Sequence, residues 1–165
     1  RLNKILEEKQ DNLKKILPEL QSKFKENKTK EEASIFKGKK GIKSIFEDIL
    51  KENKDLFAYG AESKFADLLP AYQKYWNKRR TKLNINVKMI YNEKVKKRKK
   101  LENLKLLKMK FLPEHYGFPS TNLIYGDKTV IISWTENPVG FLIKSKEVSK
   151  SNMNFFELLW RIAKR

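Results

Sequence analysis

Leucine recurs every seven residues at the amino end of the chain, at Leu6, Leu13 and Leu20. Leu2, Lys9, Ile16 and Lys23 keep the same interval three or four residues away, so the two rows form the seam of a left-handed coiled coil, weakened by its two lysines. The pattern predicts a helix over residues 1–17, about 25 Å long at 1.5 Å per residue, and marginal in isolation. Its seam is covered either by the chain's own body or by a second copy. The narrow stripe and charged flanks favour a second copy, with Leu2, Leu6, Leu13, Ile16 and Leu20 as the dimerisation contacts. Pro18 removes a helical donor and predicts a kink or restart, after which residues 19–27 continue with Leu20 and Phe24 on one face. Residues 27–32 are polar and without period. They divide a dimerisation helix, 1–28, from a body, 33–165.

The body alternates between strand and helix periods. Residues 34–37 read as a short strand; Gly41 then opens a helix with Ile42, Ile45, Phe46, Ile49 and Leu50 on one stripe. Residues 55–61 form a strand ending near Gly60, and Ser63 is placed to cap the next helix, which Pro70 interrupts or restarts before Tyr72, Tyr75 and Trp76. Residues 84–91 alternate Ile85, Val87, Met89 and Tyr91. Residues 94–110 carry nine basic residues and Glu102 as their one acid, over a thin seam of Leu101 and Leu104, and read as a surface helix in a crossover. A strand resumes over 108–112. Strands follow over 121–125, 130–134 and 141–143, separated by turns at Gly126-Asp127 and Asn137-Pro138. A last helix, 147–164, buries Phe155, Phe156, Leu159, Trp160 and Ala163. The expected class is α/β, a mixed sheet flanked by helices and preceded by a coiled-coil helix.

Composition narrows the functional classes. With 165 residues there is room for one domain and an appendage. The chain has no cysteine, which excludes disulfides, thiolate metal sites and cysteine nucleophiles and makes the cytoplasm the expected setting. No apolar run approaches the roughly 20 residues that span a bilayer, so no membrane partner is expected. The chain starts at Arg1, which suggests a fragment or processed product. Its formal charge is +18, from 38 basic and 20 acidic residues. That field suits a polyanion, or a lysine-rich, heat-adapted proteome.

Candidate chemistry is sparse. Phospholipase D-like phosphodiesterases carry His-x-Lys-x4-Asp, and at that spacing this chain reads Ser120-x-Asn122-x4-Asp127. Ser120 has no neighbouring histidine as base, and Asn122 supplies no charge to a phosphoryl group. Both retain hydrogen-bonding capacity for a neutral ligand; alternatively they begin a strand whose hairpin ends at Asp127. His115, the single histidine, sits in a Pro- and Gly-rich loop and reads as a surface or packing residue. No histidine-based metal site, tight carboxylate cluster or phosphate-binding glycine loop is present in the sequence, so no cofactor is expected. The motif Gly38-Lys39-Lys40-Gly41 is better read as a strand-to-helix turn, and residues 94–110 lack aromatics for stacking on bases.

Several segments together resemble TrmB-type archaeal transcriptional regulators. They are Leu17-Pro18-Glu19-Leu20 after the coiled coil, the run from Phe36 through Gly41 to Leu50, Phe57-Ala58-Tyr59-Gly60, and Tyr75-Trp76-Asn77-Lys78-Arg79-Arg80. Leu123 to Lys128 and Phe155 to Trp160 complete the set. The resemblance implies a non-enzymatic dimeric regulator: a winged helix reads DNA, a helix pairs the subunits, and a phospholipase D-like domain without its catalytic motif senses a signal. The winged helix is not among these residues, so DNA is expected to be reached through a domain outside this chain. The sugar-binding domain of sugar-responsive members is not among them either. A small-molecule effector is expected near Gly60, Ser63, Ser120, Asn122 and Asp127. The competing readings are a phosphodiesterase or nuclease with a divergent site, and a basic nucleic-acid-binding module.

Overall fold

The computed structural model describes residues 1–28, 31–98 and 104–165. Two compact units divide the chain, one over Arg1–Glu31 and one over Glu32–Arg165. The first is a single helix, α1 (Leu2–Lys28), about 40 Å long. It runs through Pro18 instead of restarting there. Proline's fixed φ is compatible with helix, so the chain continues, although the ring removes the bond to the Lys14 carbonyl and crowds that group. Pro18 is offset by two residues from Leu20 and Ile16, so that carbonyl lies away from the seam. Leu2, Leu6, Leu13, Ile16 and Leu20 are all exposed.

The second unit is built on a seven-stranded mixed sheet in the order β1-β7-β6-β5-β2-β3-β4. The strands are β1 (Glu32–Lys37), β2 (Leu56–Ala61), β3 (Val87–Asn92), β4 (Leu107–Leu112), β5 (Ser120–Tyr125), β6 (Lys128–Ser133) and β7 (Val139–Lys144). β2, β3 and β4 are mutually parallel and the other pairings are antiparallel. α2 (Gly38–Glu52) lays Ile42, Ile45, Phe46, Ile49 and Leu50 on one sheet face. α3 (Lys64–Leu68) and α4 (Pro70–Lys82) add to that core through Phe65, Leu69 and Trp76. On the other face, α6 (Lys146–Ile162) buries Phe156 and Leu159 against Tyr59, Ile90 and Ile124. Among the described residues no helix is long and apolar enough to cross a membrane.

Local chemistry explains the boundaries. α2 opens at Gly38, three residues before the expected Gly41: Gly38 adopts φ +70 and donates its amide to the Pro138 carbonyl, 2.7 Å away. Pro70 restarts a helix as expected, at a first-turn position where its missing amide is not needed. The expected cap at Ser63 does not form. Ser63 precedes α3 but takes a left-handed conformation, φ 62, and makes no side-chain capping bond. Ser145, which the sequence reading passed over, caps α6 by accepting from the Val148 amide. Phe155 is exposed rather than buried, because Phe156 occupies the inward position on α6.

The lysine-rich crossover differs most from expectation. α5 spans only Glu93–Arg98, residues 99–103, including Leu101 and Glu102, lie outside the described residues, and Lys105-Leu106 form a turn. Leu107, Met109 and Phe111 alternate toward the α4 side, paired in parallel with Val87, Met89 and Tyr91. The strand expected over 108–112 is thus present as β4, and the helix expected to reach residue 110 gives way to it, because a period of two anchored by a neighbouring strand overrides helix propensity.

Candidate functional site

The carboxyl ends of β2 and β3 meet the amino end of β5, because β5 runs antiparallel to β2 with Tyr59 opposite Asn122. At this junction β2 carries an irregularity: Tyr59 pairs with Ile90, Ala61 with Tyr91, and Gly60 is the extra residue between them. Gly60 has φ +74, and a Cβ there would run into the Ser120 carbonyl oxygen and lie 2.9 Å from Phe118 Cβ. Only glycine allows that approach. The Gly60 carbonyl accepts from Thr121 Oγ1 at 3.2 Å, and Thr121 Oγ1 accepts from Trp134 Nε1 at 2.8 Å. A hydrogen-bonded relay thus ties β6, β5 and β2 at one point.

Buried Asn92 organises the loop that follows β4. Its Nδ2 donates toward the carbonyls of Pro113, Glu114 and Tyr116 at 3.3, 3.2 and 2.9 Å, and its Oδ1 accepts from the Lys94 amide. The loop carries Phe118 onto Tyr59, with ring centroids 6.0 Å apart. His115 is exposed on the same loop, and its ring lies 4.1 Å from that of Tyr116.

Between the sheet and α3–α4 lies a cavity of about 260 Å³. Phe65, Trp76, Met89, Met109, Leu123 and Trp134 give it a largely apolar, aromatic lining, and Ser63, Tyr91, Thr121 and Arg80 add polar groups. Arg80 is 1% exposed. Its guanidinium donates to Asn77 Oδ1 at 2.7 Å and to the carbonyls of Ile85, Lys105 and Leu106 at 3.0–3.3 Å. Burial pulls Arg80 below its ordinary pKa, although an arginine stays charged. Tyr91 faces the cavity from β3, and burial pushes its phenol up to about 12.

The residues expected at the site are therefore divided. Gly60 and Ser120 meet at the strand junction, and Ser63 lines the cavity beside it. Asn122 lies on the α6 face, since its neighbours Thr121 and Leu123 point to the cavity. Asp127 sits in the hairpin turn at the far end of β5, about 17 Å from Ser120 along the strand. Ser120, Asn122 and Asp127 thus do not converge. Thr121, Trp134, Arg80 and Tyr91 join the candidate site without having been read from the sequence. The one available signal was the spacing of Trp76 and Arg80, four apart on a helix and therefore on one face. Among the described residues there is no cluster of acids and histidine that could hold a metal ion.

No family model matches the chain, and no curated protein matches it in sequence. Solved structures do match in shape. One is TrmBL2, described as an archaeal chromatin protein with a novel mode of DNA binding, at TM-score 0.58 and 14% identity over 99% of this chain and 69% of that one. NucT from Helicobacter pylori matches at TM-score 0.61 and 10% identity, over 82% of this chain and 99% of the other. Nuc from Salmonella typhimurium, a phospholipase D family member, matches at TM-score 0.56 and 11% identity, over 82% and 97%. The body has the phospholipase D-like fold, and the likeness to TrmBL2 takes in the leading helix as well.

Proposed function

We propose that this chain is the pairing and sensing part of a DNA-associated regulator, built on a phospholipase D-like scaffold that no longer performs phosphoryl chemistry. The observation that carries the reading is the exposed seam of α1. Leu6, Leu13 and Leu20 are 52%, 63% and 60% exposed, one heptad apart on a helix otherwise rich in charge. Covering one such side chain contributes about 1.5–3 kcal/mol, and a seam that repeats every seven residues is complementary to a second copy of itself.

Support for the DNA association comes from the formal charge of +18 and from the fold shared with a DNA-binding chromatin protein. Two parallel helices would space two DNA-reading domains on adjacent half-sites. An effector in the body would alter that spacing only by binding one arrangement more tightly than the other. The non-enzymatic reading rests on Ser120 and Asn122, which at the spacing of the phospholipase D motif fall in the places of its nucleophilic histidine and its lysine. It rests also on the exposure of His115, whose ring lies tilted against that of Tyr116 in a loop.

The test is sedimentation of the parent chain and a Leu13→Asp variant, with hydrolysis of bis(p-nitrophenyl) phosphate measured alongside. The parent is expected to sediment as a dimer and Leu13→Asp as a monomer, and hydrolysis to match the buffer blank. A Leu13→Asp dimer equal to the parent's overturns the pairing. Turnover that disappears in His115→Ala overturns the non-enzymatic reading.

A further inference from the structure

We infer that the cavity between the sheet and α3–α4 is a binding site for a small apolar carboxylate, whose hydrocarbon body fills the aromatic trough and whose charge answers the buried guanidinium of Arg80. The inference deepens the sensing half of the proposed function and rests on it.

Three observations carry it. The cavity, about 260 Å³, lies just below the usual range of about 300–1,000 Å³ for small-molecule sites, which suits a small ligand, and like them it is mainly apolar with a few polar groups. Met89 and Met109 lie side by side on β3 and β4 in its floor, adaptable side chains set among Phe65, Trp76 and Trp134. Its apolar floor favours a ligand with a hydrocarbon body over a sugar, most of whose hydroxyls would lose water against Met89, Met109, Leu123 and the aromatic rings.

The second observation is Arg80. Its hydrogen bonds go to one amide oxygen and three backbone carbonyls, all neutral. Among the described residues no ion pair compensates its charge, whereas Arg79, next in sequence, pairs with Glu47 at 2.6 Å. A buried, uncompensated cation beside an apolar cavity favours an anion there over any neutral occupant. Lys64 and Lys74, which also line the cavity, add to that preference, and Glu62 opposes it. The third observation is Tyr91, a half-buried phenol on the cavity wall that makes no hydrogen bond among the described residues. It offers a donor to a carboxylate or to a second polar group on the ligand.

The experiment is calorimetric titration of the full chain with apolar monocarboxylates from phenylacetate through 4-phenylbutyrate to decanoate, each beside its primary amide. Binding of at least one acid is expected, about tenfold or more tighter than its amide, which corresponds to about 1.4 kcal/mol. Met109→Trp, which fills the cavity floor while keeping it apolar, should abolish the heat signal while melting cooperatively. Arg80→Gln should weaken the acid and leave the amide unchanged. If Arg80→Gln does not fold, the acid-over-amide preference and the Met109→Trp result decide the matter. Equal affinity for acid and amide, no binding by any acid, or undiminished binding in Met109→Trp each overturns the inference. Sedimentation of the same samples separates the two claims: acids bound by a monomer uphold this site and refute the pairing.

Discussion

Lys128 places its Nζ 2.8 Å from Asp48 Oδ2, joining the turn of the β5–β6 hairpin to the middle of α2. Glu52 Oε1 lies 2.6 Å from the same nitrogen, and Tyr125 donates its hydroxyl to Asp48 Oδ2 at 2.8 Å. Four side chains from three elements, α2, β5 and β6, thus satisfy one another around a lysine whose side chain is 11% exposed. Burial alone would lower the Lys128 pKa, but its bonds to Asp48 and Glu52 outweigh that and hold it above the ordinary value. The network fixes the hairpin that carries Thr121 and Trp134 to the cavity.

Lys128→Met should therefore destabilise the fold by about 1–3 kcal/mol, less than for a fully buried pair because Asp48 and Glu52 are partly solvated. A raised lysine pKa contributes stability that is complete below the unfolded value, about 10.4, and lost as pH rises through the folded one. Urea denaturation across neutral pH should show a constant difference between parent and variant, and that difference should shrink in strong alkali. A difference that vanishes near neutrality would contradict the network.

Gly60→Ala should lower stability by about 2–4 kcal/mol, since it adds a side chain at φ +74 and drives it into the Ser120 carbonyl. Gly117→Ala is the control. A Cβ at Gly117 meets nothing within 4 Å, and thermal melting of that variant should be close to the parent's.

Glu47 predicts an acid-side effect. Hydrogen bonds from Arg79 hold its carboxyl below the ordinary value of 4.5, with a further contribution from Tyr72 and against a smaller effect of burial. A depressed carboxylate pKa contributes stability above the unfolded value and loses it as pH falls through the folded one. Denaturation midpoints of the parent should fall below pH 4.5 relative to those of Glu47→Gln, and an identical pH profile would remove Glu47 from the acid limb.

Elements with a strong local period were legible before the structure. α2 followed from Ile42, Ile45, Phe46, Ile49 and Leu50, and the β5–β6 hairpin from Gly126-Asp127, where Gly126 indeed takes φ +55. The strand expected over 108–112 is there as β4, Leu107–Leu112, because Leu107, Met109 and Phe111 alternate in register with Val87, Met89 and Tyr91; what the run of lysines hid is that the crossover helix read to residue 110 ends before that strand. At Pro18 the helix does not restart, since a fixed φ that fits the helix lets the chain continue through it. Of the site, Gly60, Ser63 and Ser120 were visible as strand-end residues. Arg80, Thr121, Tyr91 and Trp134 were not, because their meeting depends on the order β6-β5-β2-β3-β4, which no local pattern encodes.

Parallel pairing of α1 is the central claim of the proposed function, and a chain without cysteine makes it directly measurable. Leu6 lies near one end of the helix, so a Leu6→Cys side chain meets its own copy only in a parallel, in-register pair, where a disulfide needs Cα atoms within about 7 Å. Asp11→Cys, on the outer face, provides the background rate. In dilute solution under mild oxidation, the account predicts that Leu6→Cys converts quickly to a covalent dimer and Asp11→Cys does not. Equal and slow cross-linking of the two variants would contradict it.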